Sequence, residues 1–176
     1  MKKNLTAAAC LIFLALLASG IAFAEQANTG DRKLDSLLVK IDERAKADPD
    51  GFFLRLSQKH DFPEGEIRRA KEQYDLSYGD LFMATGLALK INRPVGDVAA
   101  EYKQNQGRGW GVLAMSMGIK PGSPAFKELK ANAYSSAKHM KAKAKARKRQ
   151  QKLDSEKERK LNRKTQDESQ GKRKKK

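Results

Sequence analysis

The sequence predicts an all-α protein: a small bundle or array of about six or seven short helices, whose last helix extends into a basic, partly disordered C-terminal tail. Apolar residues recur at helical spacing between residues 31 and 140, and no segment alternates with the two-residue period of a strand. Prolines, glycines and helix-capping residues divide this region into short units, and basic residues accumulate near the C-terminus. We therefore divide the chain into a signal peptide (residues 1–24), a helical module (25–137) and a polybasic tail (138–176).

The first residues have the organisation of a secretory signal peptide. Two lysines precede an apolar stretch, and Ala22 and Ala24 place small residues at the two positions that signal peptidase recognises. We therefore expect cleavage before Glu25 and a periplasmic or secreted mature protein without a transmembrane span. An uncleaved membrane anchor is the alternative, because the apolar stretch approaches the roughly 20 residues that cross a bilayer.

The first three helices of the module are predicted from apolar stripes and from the residues that begin them. The second helix begins at Asp48-Pro49, and the third has Pro63 as its first helical residue. The stripes are Leu34, Leu37, Leu38, Ile41 and Ala45 in the first helix, Phe52 or Phe53 with Leu56 in the second, and Ile67, Ala70 and Tyr74 in the third.

The next two helices have clearer start signals. Ser77 caps the fourth helix with Asp80 three residues later, and Leu76 and Leu81 are spaced as a hydrophobic staple. Pro94 is expected as the first residue of the fifth helix. The inward stripes are Leu81, Thr85, Ala88 and Leu89 in the fourth helix, and Val95, Val98, Ala99 and Tyr102 in the fifth.

The segment GWGVLAMSMGIKPGSPAFKELK predicts two further helices joined by a tight turn. Gly118 suits the left-handed position at the end of the first, and Ser123 caps the second. The inward residues are Trp110, Leu113, Ala114 and Met117, followed by Phe126, Leu129 and Ala133. A DNA-reading helix-turn-helix is the alternative, but the second helix offers few basic and amide side chains for base contacts. We therefore expect a structural role for this pair.

Trp110 lies between two glycines, which we expect to let its ring pack against a neighbouring helix. The alternative is a ligand groove lined by Trp110 and Tyr102. Two longer stretches around this tryptophan, LSYGDLFMATGLALKINRPVGDVAAEY and YKQNQGRGWGVLAMSMGIKPGSPAFKELK, resemble an uncharacterised group of small exported bacterial helical proteins that share a GWG…GIKPGS motif. The resemblance covers about residues 60–130. It implies an exported helical module and no activity, cofactor or catalytic residue, and the basic tail lies outside it.

No motif in the sequence indicates catalytic chemistry. Cys10 is the only cysteine and lies in the signal peptide, so the mature chain has no thiol for a disulfide, a nucleophile or a metal site. His60 and His139 lie far apart in the sequence, and we expect both at the surface. Neither a phosphate-binding Gly-Lys-Ser loop nor a serine nucleophile elbow is present. We therefore expect a non-enzymatic protein with no cofactor and no metal site. The alternative, an enzyme, would need a site assembled from scattered carboxylates, for example Glu66, Glu72, Asp97 and Glu101.

Charge is distributed unevenly along the chain. The whole sequence has 37 basic and 21 acidic residues, a formal net charge of +16. Residues 138–176 have 18 basic and 5 acidic residues and so carry +13 of this charge, whereas residues 25–137 have 17 basic and 16 acidic residues. A strongly cationic segment on a nearly neutral module predicts an anionic partner for that segment. The residues expected to bind it are Lys138, Lys141, Lys143, Lys145, Arg147, Lys148, Arg149, Lys152, Lys172, Arg173, Lys174, Lys175 and Lys176.

The tail consists of good helix formers but has few apolar residues with which to bury a face. We expect a solvated extension of the last helix that frays into disorder. Like charges four residues apart, such as Lys141 with Lys145, disfavour the helix by roughly a few tenths of a kcal/mol per pair. A bound polyanion would remove this repulsion and increase the helix content.

Together these features predict an exported, non-enzymatic binding or structural protein of the bacterial cell envelope. Its tail is expected to bind an anionic envelope polymer or lipid surface through charge, while the module contacts an unknown protein partner. The alternative is a nucleic-acid-associated protein that binds DNA or RNA non-specifically through the basic tail. No aromatic residue follows Tyr134, so the tail cannot hold single strands by base stacking. A solubilising tail without a dedicated partner is a further interpretation.

Overall fold

The computed structural model of the chain describes residues 28–105 and 107–173, with side chains through Lys164. Secondary structure in these residues is helical without any strand, which confirms the predicted all-α class. The helices are α1 (Arg32–Ala47), α2 (Pro49–His60), α3 (Glu64–Gln73), α4 (Tyr78–Ile91), α5 (Val95–Gln104), α6 (Gly109–Ser116) and α7 (Pro124–Arg173). The predicted signal peptide with Ala22 and Ala24 lies outside the described residues, as do Lys174, Lys175 and Lys176. None of the described helices combines the length and hydropathy needed to cross a bilayer.

Helix α4 lies at the centre of the core and contacts α1, α2, α3, α5 and α7. Every residue from Gly79 to Ala88 is buried. The predicted single inward stripe was wrong in part, because Leu89 is 40% exposed while Phe82 and Leu87 are buried on other faces. A helix that is surrounded by partners is apolar on all sides, so it lacks the one-sided pattern of a surface helix.

The helix starts follow local sequence signals, with two small shifts. Ser77 begins α4 as predicted, since its Oγ accepts a hydrogen bond from the Asp80 N–H at 3.0 Å. Ser123 caps α7 in the same way. Pro63 and Pro94, predicted as first helical residues, instead precede α3 and α5, because their ψ angles of 133° and 145° are extended.

The turn after α6 has the predicted left-handed glycine. Gly118 has a φ of +81°, and the Ile119 N–H donates a hydrogen bond to the Ala114 carbonyl at 2.8 Å. Ile119 is buried in the core. This arrangement ends α6 and turns the chain towards α7.

Helix α7 has 50 residues and belongs to both the core and the tail. Phe126, Leu129 and Ala133 are buried as predicted, and Ala137 and Met140 continue the buried face past the expected end of the module at residue 137. The core therefore extends into the first turn of the tail.

Helices α1 and α7 form the most extensive helix pair. Asp31 at the start of α1 pairs with Lys130, and Ala47 at the end of α1 contacts Arg147. The two helices therefore run parallel. Beyond Met140 every residue to Lys164 is exposed, and the helix continues without a break to Arg173, as the expected solvated extension.

Candidate polyanion-binding surface

The predicted cationic residues of the tail lie on α7 at the surface of the protein. Those with described side chains are all exposed, namely Lys138, Lys141, Lys143, Lys145, Arg147, Lys148, Arg149 and Lys152. Lys172 and Arg173 lie in the last turn of the helix. The segment from residue 138 to residue 152 contains eight Lys or Arg residues and no Asp or Glu. The structure thus presents an uninterrupted cationic stretch about 22 Å long, at about 1.5 Å per helical residue.

These cations divide between two faces of α7. At about 100° per residue, five of them fall within an arc of about 80°, at least roughly 100° around the helix from the buried Met140. We call this set, which consists of Lys138, Lys141, Lys145, Arg149 and Lys152, the outward face. The other three, Lys143, Arg147 and Lys148, line a groove against the helical module. Helical geometry therefore separates one predicted surface into two.

Lys143 and Arg147 lie against the junction between α1 and α2. The Lys143 Nζ is 2.8 Å from the Asp48 Oδ2, and Arg147 donates a hydrogen bond to the Ala47 carbonyl at 3.3 Å. The hydrogen bond from Lys143 lowers the pKa of Asp48 below its ordinary value of 3.8, and the charge of Arg147 adds to this effect. Both cations thus contribute to the attachment of α7 to the module.

The groove between the end of α1, the start of α2 and α7 has a volume of about 460 Å³, and we call it the α1–α2–α7 groove. Its apolar lining consists of Ala47, Phe52, Met140 and Ala144. Its polar lining consists of the basic residues Arg44, Arg55, Lys143, Arg147 and Lys148, the acidic residues Glu43 and Asp48, and Gln151, with Gly51 between them. Five basic and two acidic side chains give the groove a net charge of +3.

Arg44 and Arg55 are the two cations of this groove that the sequence analysis missed. The Arg44 Nη1 donates a hydrogen bond to the Ala137 carbonyl at 2.5 Å and so joins α1 to α7. The Arg55 Nε is buried and has no hydrogen-bond partner among the described residues. Both arginines belong to the nearly neutral module, where charge counting gave no reason to select them. Their position in the last turn of α1 and the second turn of α2 is the only sequence signal that would place them near the junction.

His60 is buried, and its predicted surface position is wrong. The residue is 1% exposed, and its Nδ1 lies 2.9 Å from the Thr85 Oγ1. Since the Thr85 hydroxyl has carbonyl acceptors in α4, the Nδ1 of His60 acts as the donor to its oxygen. Burial, reinforced by the charges of Lys59 and Lys90, lowers the pKa of His60 to about 4. Its spacing four and seven residues after the buried Leu56 and Phe53 was the available signal, namely the apolar stripe of α2.

Trp110 and Tyr102 belong to the core, so the alternative of a groove lined by them is wrong. Their rings stack with centroids 3.9 Å apart and planes 10° from parallel, and Trp110 is completely buried. The Trp110 Nε1 donates a hydrogen bond to the Asp80 Oδ1 at 2.6 Å. This bond connects α6 to the first turn of α4.

The two glycines beside Trp110 make room for the backbone of the segment that precedes α1. A Cβ on Gly111 would lie 2.4 Å from the Thr29 carbonyl oxygen, and one on Gly109 would lie 2.4 Å from that of Asn28. The segment that precedes α1 therefore crosses α6 at these glycines. The predicted need for small residues beside Trp110 is thus correct, but the group that they accommodate is backbone and not the indole ring.

Of the four scattered carboxylates, Glu66, Asp97 and Glu101 have structural contacts in the described part of the chain, and Glu72 is exposed. Glu66 accepts a hydrogen bond from the Val95 N–H at 2.9 Å and so caps α5. Arg93 pairs with Glu101 at 2.6 Å and with Asp97 at 3.8 Å. Among residues 28–105 and 107–164, no group of three or more His, Cys, Asp or Glu side chains is arranged to hold a metal ion.

Comparison of the chain with protein-family models, with curated proteins and with solved structures finds no match. A functional conclusion therefore depends on the geometry of the molecule itself. It is an all-helical protein whose last helix carries an exposed cationic face and, on another face, one wall of a cationic groove.

Proposed function

We propose that this protein is an exported, non-enzymatic binding protein of the bacterial cell envelope that holds anionic polymers or surfaces through α7. The observation that carries the proposal is the outward face, where five Lys and Arg side chains project into solvent from one side of a continuous helix. The helical module supports this face, because residues 124–140 of the same helix are packed into the core. A polyanion therefore meets charges that are already aligned.

The expected strength follows from the number of cations that act together. Each Lys or Arg close to an anionic bilayer contributes about 1 kcal/mol, so three of them correspond to roughly 100-fold in affinity. Like-charge pairs along the outward face, such as Lys141 with Lys145 and Lys145 with Arg149, repel one another in the free protein. Bound phosphates or carboxylates relieve this repulsion.

Duplex DNA is the competing polyanion, since an exposed basic helix also neutralises phosphates. The expected signal peptide favours envelope partners instead, because an exported protein meets little chromosomal DNA. The two functions differ in preferred ligand and in location. Mass spectrometry of the protein recovered from periplasmic and cytoplasmic fractions tests the location, and the expected mature chain begins at Glu25.

The test of the proposal compares two triple variants of the mature chain with the same net charge. In the first, Lys141, Lys145 and Arg149 of the outward face are replaced by Gln. In the control, three exposed lysines of the helical module are replaced by Gln, namely Lys33, Lys40 and Lys120.

Binding to phosphatidylglycerol vesicles, lipopolysaccharide and duplex DNA is measured at several salt concentrations. We expect the outward-face variant to bind vesicles roughly 100-fold more weakly, at three times about 1 kcal/mol, and the control to bind like the wild type. Equal losses in both variants would show that net charge alone matters and would overturn the role of α7. Tighter binding to DNA than to the envelope ligands at physiological salt, together with recovery in the cytoplasm, would favour the nucleic-acid function.

A further inference from the structure

We propose that the α1–α2–α7 groove binds a single anionic lipid molecule, with its acidic headgroup at the basic side chains and its alkyl chain on the apolar lining. The proposal rests on the proposed envelope function, and it names a ligand class for a second site on the same protein. The site is distinct from the outward face, because none of the five cations of that face lines the groove.

The apolar part of the groove suits an alkyl chain. Phe52 and Met140 are 3% and 7% exposed and form its deep surface, and Ala47 and Ala144 line its sides. Alanines at these two positions leave room that longer side chains would fill. The volume of about 460 Å³ lies within the range of about 300–1,000 Å³ that is typical of small-molecule sites.

The charged part of the groove suits an anion. Its net charge is +3, and three of its basic residues come from α7 while Arg44 and Arg55 come from the module. Arg44 and Lys143 already have partners in the Ala137 carbonyl and Asp48. The buried Nε of Arg55 has no hydrogen-bond acceptor among the described residues. An unmade hydrogen bond from a buried donor is unfavourable, so a shift of the Arg55 side chain towards a headgroup oxygen in the groove would gain the acceptor that the described residues do not supply.

A long polymer fits the groove less well than one lipid molecule. The groove is bounded on three sides by α1, α2 and α7, whereas the outward face is open along its length. The combination of a buried aromatic and a buried thioether with a cationic border matches a molecule that is itself apolar at one end and anionic at the other. Charge complementarity together with this apolar lining therefore selects an anionic lipid.

The test uses n-dodecyl phosphate as the probe, below the concentration at which it forms micelles, with the full mature chain in isothermal titration calorimetry. We expect one molecule bound per chain. Ethyl phosphate, which has the headgroup without the long chain, and dodecyl maltoside, which has the chain without the charge, should each bind at least about tenfold more weakly. Equal affinity for either control compound, or several equivalent dodecyl phosphate molecules per chain, would overturn the proposal.

Two variants locate the site. Arg55→Gln should lower the dodecyl phosphate affinity by at least about tenfold, whereas Lys141→Gln, which removes the same charge from the outward face, should leave it unchanged. Ala144→Leu adds bulk at an exposed helical position that lines the groove, so it should weaken dodecyl phosphate binding without destabilising the fold. Far-ultraviolet circular dichroism confirms that each variant is folded. Unchanged binding in folded Arg55→Gln and Ala144→Leu would refute the assignment.

Lipid binding in the groove and polyanion binding at the outward face can be refuted independently. The outward-face variant, with Lys141, Lys145 and Arg149 replaced by Gln, should keep its affinity for dodecyl phosphate while it loses vesicle binding. Arg55→Gln should keep most of its vesicle binding while it loses dodecyl phosphate. If the outward-face variant lost dodecyl phosphate binding to the same extent as Arg55→Gln, the groove would not be a separate site.

Discussion

Replacement of Gly111 by alanine reverses the usual effect of this substitution in a helix. Alanine is ordinarily the better helix former by roughly 0.5–1 kcal/mol. At Gly111, however, the new Cβ would lie 2.4 Å from the carbonyl oxygen and 2.9 Å from the carbonyl carbon of Thr29. These are backbone atoms, so a rotamer change cannot relieve the overlap.

The loss of stability in Gly111→Ala can be estimated for two cases. If the backbone stays in place, overpacking of this kind costs typically about 1–3 kcal/mol. If the segment before α1 moves away instead, it loses the hydrogen bond from the Gly111 N–H to the Asn28 carbonyl and those from the N–H and hydroxyl of Thr29 to Asp35. Each such bond contributes about 1 kcal/mol. After the gain in helix propensity is subtracted, we expect Gly111→Ala to lower the free energy of unfolding by about 1–2 kcal/mol.

The matched control is Gly96→Ala in α5, where no atom outside the local helix lies within 4 Å of the added Cβ. This variant should be more stable than the wild type by about 0.5 kcal/mol. Urea denaturation of the mature chain, followed by Trp110 fluorescence and circular dichroism, gives both values. The Thr29 amide, which donates to the Asp35 Oδ1 at 2.8 Å, should exchange with solvent faster in Gly111→Ala only. Equal or greater stability of Gly111→Ala would refute the backbone-crossing explanation of the two glycines.

Three further predictions concern buried or paired polar groups. His60 has a pKa of about 4 in the folded protein against 6.5 ordinarily, so the unfolded chain takes up the proton first as the pH falls. The stability it contributes is therefore complete above about pH 6.5 and decreases by roughly 3 kcal/mol towards pH 4. Urea denaturation at pH 7.5 and 4.5 should show a smaller pH dependence in His60→Gln, and equal dependence in both proteins would contradict the buried neutral ring. Trp110→Phe removes the donor to the Asp80 Oδ1 at 2.6 Å and should lower the unfolding free energy by about 1–3 kcal/mol or more; a loss below about 0.5 kcal/mol would mean that the hydrogen bond contributes little. The pKa of Asp48 is lowered mainly by its hydrogen bond from Lys143, so its contribution to stability is present above about pH 3.8 and is lost as the pH falls through the lowered value. Carboxyl titration by NMR should find this pKa below 3.8 and nearer to 3.8 in Lys143→Gln, and an unchanged value would show that the pair does not form in solution.

Helix positions could be predicted from the sequence because the signals are local. The Ser77 cap and the left-handed Gly118 depend on hydrogen bonds that span no more than about five residues, and the apolar stripes on α1, α5 and α6 depend on helical periodicity. Helical periodicity did not predict the buried residues of α4 correctly, since a helix with neighbours on every side has no polar face to define its orientation. It also failed for His60, because a lone histidine beside a lysine has the composition of a surface residue.

The candidate sites were predictable only in part. The total charge of the tail is a property of composition, so its cations could be selected without a structure. Their division into an outward face and a groove face required the position of Met140 in the core. The sequence could place Arg44 and Arg55 near the junction of α1 and α2 but could not assign them to a site, because their relevance depends on α7 lying beside them.

The sequence by itself determined that this chain is helical, where its helices begin apart from the shifts at Pro63 and Pro94, and that its charge is concentrated at the C-terminus, because each of these depends on residues close together along the chain. Only the tertiary structure decided that α7 runs parallel to α1, that the first turn of the tail belongs to the core, and that module and tail together form a groove. The physical reason is the distance along the chain: the contact between Arg147 and Ala47 joins residues 100 positions apart. Such a contact is formed by the packing of the whole core and has no local sequence signal.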